Sequence, residues 1–108
     1  MFRTESQTQK LCTCPIGKVA HIIGDSTALI IIRDLFNGPR RFGDLVTSLS
    51  GISTRTITKK LKTLEENEII VRTVISKKPP HIEYSLTKKG YGIKPIEEAM
   101  RKYGEKYL

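Results

Sequence analysis

Arg55, Lys59 and Lys62 follow one another at steps of four and three residues, with Thr56 and Thr58 between them. On a helix turning 100° per residue these cations share one side, opposite an apolar row of Ile57, Leu61 and Leu64. Such a face suits donation to acceptor-rich edges. Arginine and lysine donate to guanine O6 and N7 or to phosphate, while threonine offers thymine a methyl group and phosphate a hydroxyl. The run Ser53–Lys62 contains no acid and carries +4, and Ile69–Ile82, with Arg72, Lys77 and Lys78, carries +3. These two segments hold +7 of a net charge of +8. A polyanion fits that concentration. Basicity alone fits a solvated surface kept for solubility equally well, so the elements that carry the residues must decide.

Those elements are short and read in order. Pro15 suits the first turn of a helix running to about Ile23, with Val19, Ile22 and Ile23 on one face, and Gly24 ends it. Asp25 or Ser26 caps a second helix through Leu29–Ile32, Leu35 and Phe36, apolar nearly all round and hence central to the core. Asn37-Gly38-Pro39 stops it. A third helix over about Arg41–Leu49 places Phe42, Leu45, Val46 and Leu49 on one stripe. After the turn at Ser50-Gly51-Ile52, Ser53 or Thr54 caps the fourth helix, the cationic one. Ile69–Ile75 and His81–Thr87 alternate as the strands of a hairpin whose loop, Ser76–Pro80, holds Lys77 and Lys78. Lys88–Leu108 reads as a last helix with Ile93, Ile96, Met100, Tyr103 and Tyr107 on one side, kinked or delayed by Pro95.

Length permits one domain. The 108 residues divide into a polar, frayed N-terminal segment (1–11) and a single domain (12–108). With 38% apolar and 28% charged residues the chain is a globular one and not a disordered tail. Met1–Gln9 lacks the apolar core of a signal peptide, and the longest apolar run, Ala28–Ile32, is too short to cross a bilayer, so the expectation is a cytoplasmic protein without a membrane partner. Cys12 and Cys14, one residue apart, cannot staple distant elements.

A helix, a glycine turn, a basic helix and a hairpin follow the order of a winged helix-turn-helix, an α+β, mainly helical fold that seats its second helix in the major groove. The motifs Cys14-Pro15, Ile23-Gly24-Asp25, Arg33-Asp34-Leu35, Gly38–Leu45, Gly51-Ile52-Ser53, Leu61–Glu65, Pro79-Pro80, Glu83–Thr87 and Gly90, in that order, closely resemble the HxlR-type transcription regulators over residues 12–108. That resemblance implies a homodimer on operator DNA, gripped by the fourth helix and a two-stranded wing, with the first and last helices building the dimer. It departs from the family where Ser26-Thr27 stands for Lys-Trp, Tyr103 for Trp, and Asn67-Glu68 for Asp-Gly. Asn67 is then expected to supply the left-handed turn residue.

The expected DNA contacts are Arg55, Thr56 and Lys59 on base edges, with Ser53, Thr54, Lys62, Arg41, Lys77 and Lys78 on phosphates and Thr58 on the same face. The expected dimer face is Val19, Ile22, Ile23, Ile96, Met100, Tyr103 and Tyr107, because so small a domain has limited core to cover a terminal apolar stripe. The operator is then an inverted repeat. Cys14 precedes a helix whose dipole, with Lys18, favours a thiolate, which makes it a candidate redox sensor beside the plainer role of an inert thiol. Zinc on Cys12, Cys14 and His21 lacks a fourth ligand, and neither a metal nor another cofactor is expected. His21 and His81 lie apart with no nucleophile pattern or phosphate loop, so no enzyme is read. A winged helix that binds protein instead is the alternative, and it needs an apolar groove where this chain shows cations.

Overall fold

The computed structural model describes residues 14–108; the N-terminal segment 1–11 and Cys12 lie outside them. Helix α1 (Pro15–Ile23) begins with proline in its first turn and stops at Gly24. A Cβ there would stand 2.1 Å from the Ala20 carbonyl oxygen. Helix α2 (Ser26–Leu35) starts at Asp25, whose side chain accepts from Ala28 N at 2.8 Å. It buries Thr27, Ala28, Ile31, Ile32 and Leu35 and forms the centre of the core, so Thr27 is a buried polar residue.

Gly38, at φ 121°, turns the chain into β1 (Arg40–Arg41) and then α3 (Phe42–Ser48). Gly51, at φ 92°, makes the turn before α4 (Thr54–Glu66), which lays Ile57, Leu61 and Leu64 into the core. Strands β2 (Ile70–Lys77) and β3 (Pro80–Leu86) pair antiparallel from Ile70↔Leu86 to Lys77↔Pro80, with an irregularity between Val74 and Ser76. Strand β1 pairs with β3 through Arg40↔Tyr84 and Arg41↔Glu83. The wing expected as two strands is therefore part of a three-stranded antiparallel sheet, ordered β1-β3-β2. Two residues carry no readable period, which is why β1 has no signature in the sequence.

Three further expectations need correction. The hairpin pairs through Lys77↔Pro80, so its tip is Lys78-Pro79 and not the five-residue loop Ser76–Pro80. The last helix is two: α5 (Lys88–Tyr91), capped by Thr87, and α6 (Lys94–Tyr107). Pro95 has no N–H to bond the Tyr91 carbonyl, so the ladder breaks and restarts. The left-handed residue after α4 is Glu68, at φ 60°, not Asn67. There Ile69 N donates to Leu64 O (2.9 Å) and Glu68 N to Glu65 O (3.0 Å), the two bonds of a Schellman close. Asn67 stays near helical geometry and its side-chain amide donates to Thr63 O at 2.8 Å.

Candidate nucleic-acid interface

Ser53 builds the leading edge of α4. Its hydroxyl accepts from Thr56 N at 3.1 Å and donates to Thr56 Oγ1 at 2.9 Å, while Thr58 Oγ1 donates to Thr54 O at 2.8 Å. These threonines are thus anchored to their own helix. Arg55, Lys59 and Lys62 are exposed and form no ion pair among the described residues, so α4 offers three unneutralised cations on one face. Ser53, Thr54 and Thr58 are exposed beside them, and Thr56 is half-buried. Lys60 alone of this run turns away, its Nζ 2.6 Å from Asp25 Oδ2.

The wing holds the rest of the charge. Seven steps of about 3.3 Å carry β2 roughly 23 Å from Ile70 to its tip. Lys77 and Lys78 are exposed there. Arg41 sits at the start of α3, where its N–H donates to Asp44 Oδ2 at 3.1 Å and its Nη2 to Pro80 O at 3.3 Å. Strand β1 thereby brings Arg41 to the hairpin, a position that sequence reading reached without its cause. Glu83, on β3, meets His81 Nε2 at 2.8 Å. All ten expected contacts lie on α4, its capping turn, the wing tip or the β1–α3 corner.

A separate surface is apolar. Val19 on α1 is exposed, as are Ile96, Met100, Tyr103 and Tyr107 on α6, the two tyrosine rings 4.9 Å apart. A groove of about 490 Å³ runs between the two helices. Ile16 lines it at 80% exposure and was missed, although it stands three residues before Val19 and seven before Ile23 and so shares their side of the helix. Ile23 is 6% exposed and belongs to the chain's own core at the floor of the groove, while Ile22 is half-buried against that core. These two are inner residues, not part of the open face.

Cys14 is exposed at the N-cap of α1. The amides of Gly17 and then Ile16 lower its thiol pKa from the ordinary value, although no capping hydrogen bond closes. No three metal-binding side chains cluster among the described residues, and Cys12 of the zinc reading lies outside them. No single helix among these residues is long and apolar enough to cross a membrane.

Residues 22–108 match the family model described as HxlR-like helix-turn-helix. The chain belongs to the HxlR-like helix-turn-helix family. It is a transcription regulator of the winged-helix type. An uncharacterized HTH-type transcriptional regulator of Synechocystis, sll1512, is 42% identical over 95 residues, which span 88% of this chain and 70% of that protein. The reduced form of the regulator YodB from Bacillus subtilis superposes with a TM-score of 0.77 at 30% identity, covering 89% of this chain and 95% of that one. HypR, a redox regulator solved in its reduced form, gives a TM-score of 0.82 at 31% identity over 86% and 92% of the two chains.

Proposed function

We propose that this HxlR-like chain acts in the cytoplasm as a homodimer that binds an inverted-repeat operator in double-stranded DNA. The observation that carries the reading is the row of unpaired cations on α4, opposite the apolar row that anchors the helix. A rigid helix with fixed charges suits the major groove, where Arg55, Thr56 and Lys59 meet base edges. Ser53, Thr54, Lys62, Arg41, Lys77 and Lys78 hold phosphates, and Thr58 lies on the same face. The exposed stripe of α1 and α6 supports pairing of two copies, which sets the half-sites about one helical turn, or 34 Å, apart. Whether transcription rises or falls depends on where the operator lies. The chain is read as a binding protein without catalysis, since its relatives are regulators.

Titration of duplex DNA at rising salt tests this reading. Log affinity should fall linearly with log salt, by about 0.9 per neutralised phosphate. A protein that ignores duplex DNA in dilute buffer overturns the reading and leaves the protein-binding module as the alternative.

Cys14 extends the proposal to redox control. Its exposed thiol and lowered pKa favour the reactive thiolate. HypR is known in reduced and oxidized forms, and YodB in reduced and diamide-treated forms, which supports the same behaviour here.

A further inference from the structure

Asp25 uses its two carboxylate oxygens on two different helices. Oδ1 accepts from Ala28 N at 2.8 Å and so caps α2, while Oδ2 meets Lys60 Nζ, on the flank of α4, at 2.6 Å. Asp25 also follows directly on Gly24, the residue that ends α1 and where a Cβ would meet the Ala20 carbonyl oxygen. Two helices therefore share one side chain, and α1 joins them through the backbone at Gly24. Apolar contact through Ile57, Leu61 and Leu64 presses α4 onto the core but is non-directional, so it constrains depth better than roll about the helix axis. A charge-assisted hydrogen bond is directional.

We propose that the Asp25–Lys60 pair is a strut that sets the roll of α4, so that it aims Arg55 and Lys59 and carries any displacement of α1 to the DNA-facing helix. Lys60 is then a positioning residue and not a phosphate ligand, although it belongs to the basic run. Its side chain is 33% exposed and that of Asp25 41%, so the pair adds little to stability and its worth lies in geometry. The Asp25 carboxyl feels burial, which raises its pKa, yet the Lys60 bond and the Ala28 amide outweigh this and hold it below its ordinary value, so the pair stays charged. This inference rests on the duplex-binding reading above.

The test begins with wild-type protein selecting a duplex from a random-sequence pool. If it selects none, the function proposed above fails before any variant is made, and that result is distinct from those that follow. Affinities for the selected duplex and for a scrambled one of equal composition are then measured for Lys60→Met, Lys60→Arg, Asp25→Asn and the double variant. Asparagine caps as well as aspartate does, so Asp25→Asn keeps α2 and removes only the strut. Lys60→Met and Asp25→Asn should each weaken the selected duplex about tenfold while the scrambled one changes less than about twofold. Lys60→Arg should restore binding, and the double variant should be no weaker than either single one. Unchanged affinity for the selected duplex, or additive losses in the double variant, overturns the strut. So do equal losses on both duplexes with a salt slope shallower by about 0.9, which make Lys60 a phosphate ligand.

Discussion

Gly90 lies so close to Ile69 that a Cβ on it would stand 2.2 Å from the Ile69 carbonyl oxygen and 2.9 Å from Leu86 Cδ2. That carbonyl also accepts from Thr87 N at 3.0 Å, and Thr87 Oγ1 accepts from Gly90 N at 3.0 Å, so α5 is clamped to the root of the wing. Gly90→Ala must push the two apart. It should cost about 1–3 kcal/mol in urea unfolding with an unchanged m-value. Gly43→Ala, where nothing lies within 4 Å, should instead stabilise α3 by about 0.5–1 kcal/mol. A Gly90→Ala protein as stable as wild type contradicts the close approach.

Arg55 and Lys77 separate the two kinds of DNA contact. Arg55→Ala should cost about 1–3 kcal/mol on a selected duplex and narrow its advantage over a scrambled one. Lys77→Ala should weaken both alike and lower the salt slope by about 0.9. Equal losses for Arg55→Ala on the two duplexes would move Arg55 to the phosphates.

Met100, half exposed on the apolar stripe of α6, tests the dimer. Met100→Glu places a charge where two copies should meet, and a buried unpaired charge is costly. Sedimentation should turn from dimer to monomer while the circular dichroism of the helices is retained. A variant that sediments as the wild type does removes this face from the assembly.

Asp25 makes a small contribution to stability that acid should remove. Its folded pKa lies below the unfolded one, so the ionised pair adds stability above the ordinary carboxylate value of about 3.9 and loses it as pH falls through the folded value. The stability difference between wild type and Asp25→Asn should therefore shrink below about pH 4. A difference that stays constant down to pH 2 or so contradicts the lowered pKa.

Cys14 predicts reactivity. With Cys12 replaced by serine, alkylation by iodoacetamide should reach half its limiting rate below the pH of about 8.5 seen for a free thiol, because the Gly17 and Ile16 amides favour the thiolate. Diamide should change duplex binding of the wild type, and dithiothreitol should reverse it. Binding indifferent to diamide ends the redox reading.

Much of the fold was legible because its signals are local. The stripe Ile57, Leu61 and Leu64 repeats at helical spacing, Ser53 and Asp25 are capping residues, and Ile69–Ile75 is rich in β-branched residues, so each element declares itself within a few residues. Strand β1 was not legible, and Pro95 announced a kink or delay in the last helix without fixing that it would become two. The strand exists only because β3 lies alongside it, and whether one missing N–H kinks a helix or divides it depends on what packs around it.

The candidate site divides the same way. The order of residues alone places Arg55, Lys59 and Lys62 on one face, since a helix turns by a constant angle and their spacing does the rest. It cannot say that Lys60, one residue along, faces Asp25 across 35 positions, nor that Ile23 closes the core while Ile16 stays open. Those outcomes depend on which surfaces are pressed together when α1, α2, α4 and α6 pack. Long-range proximity is a property of the folded chain, and only tertiary structure decides it.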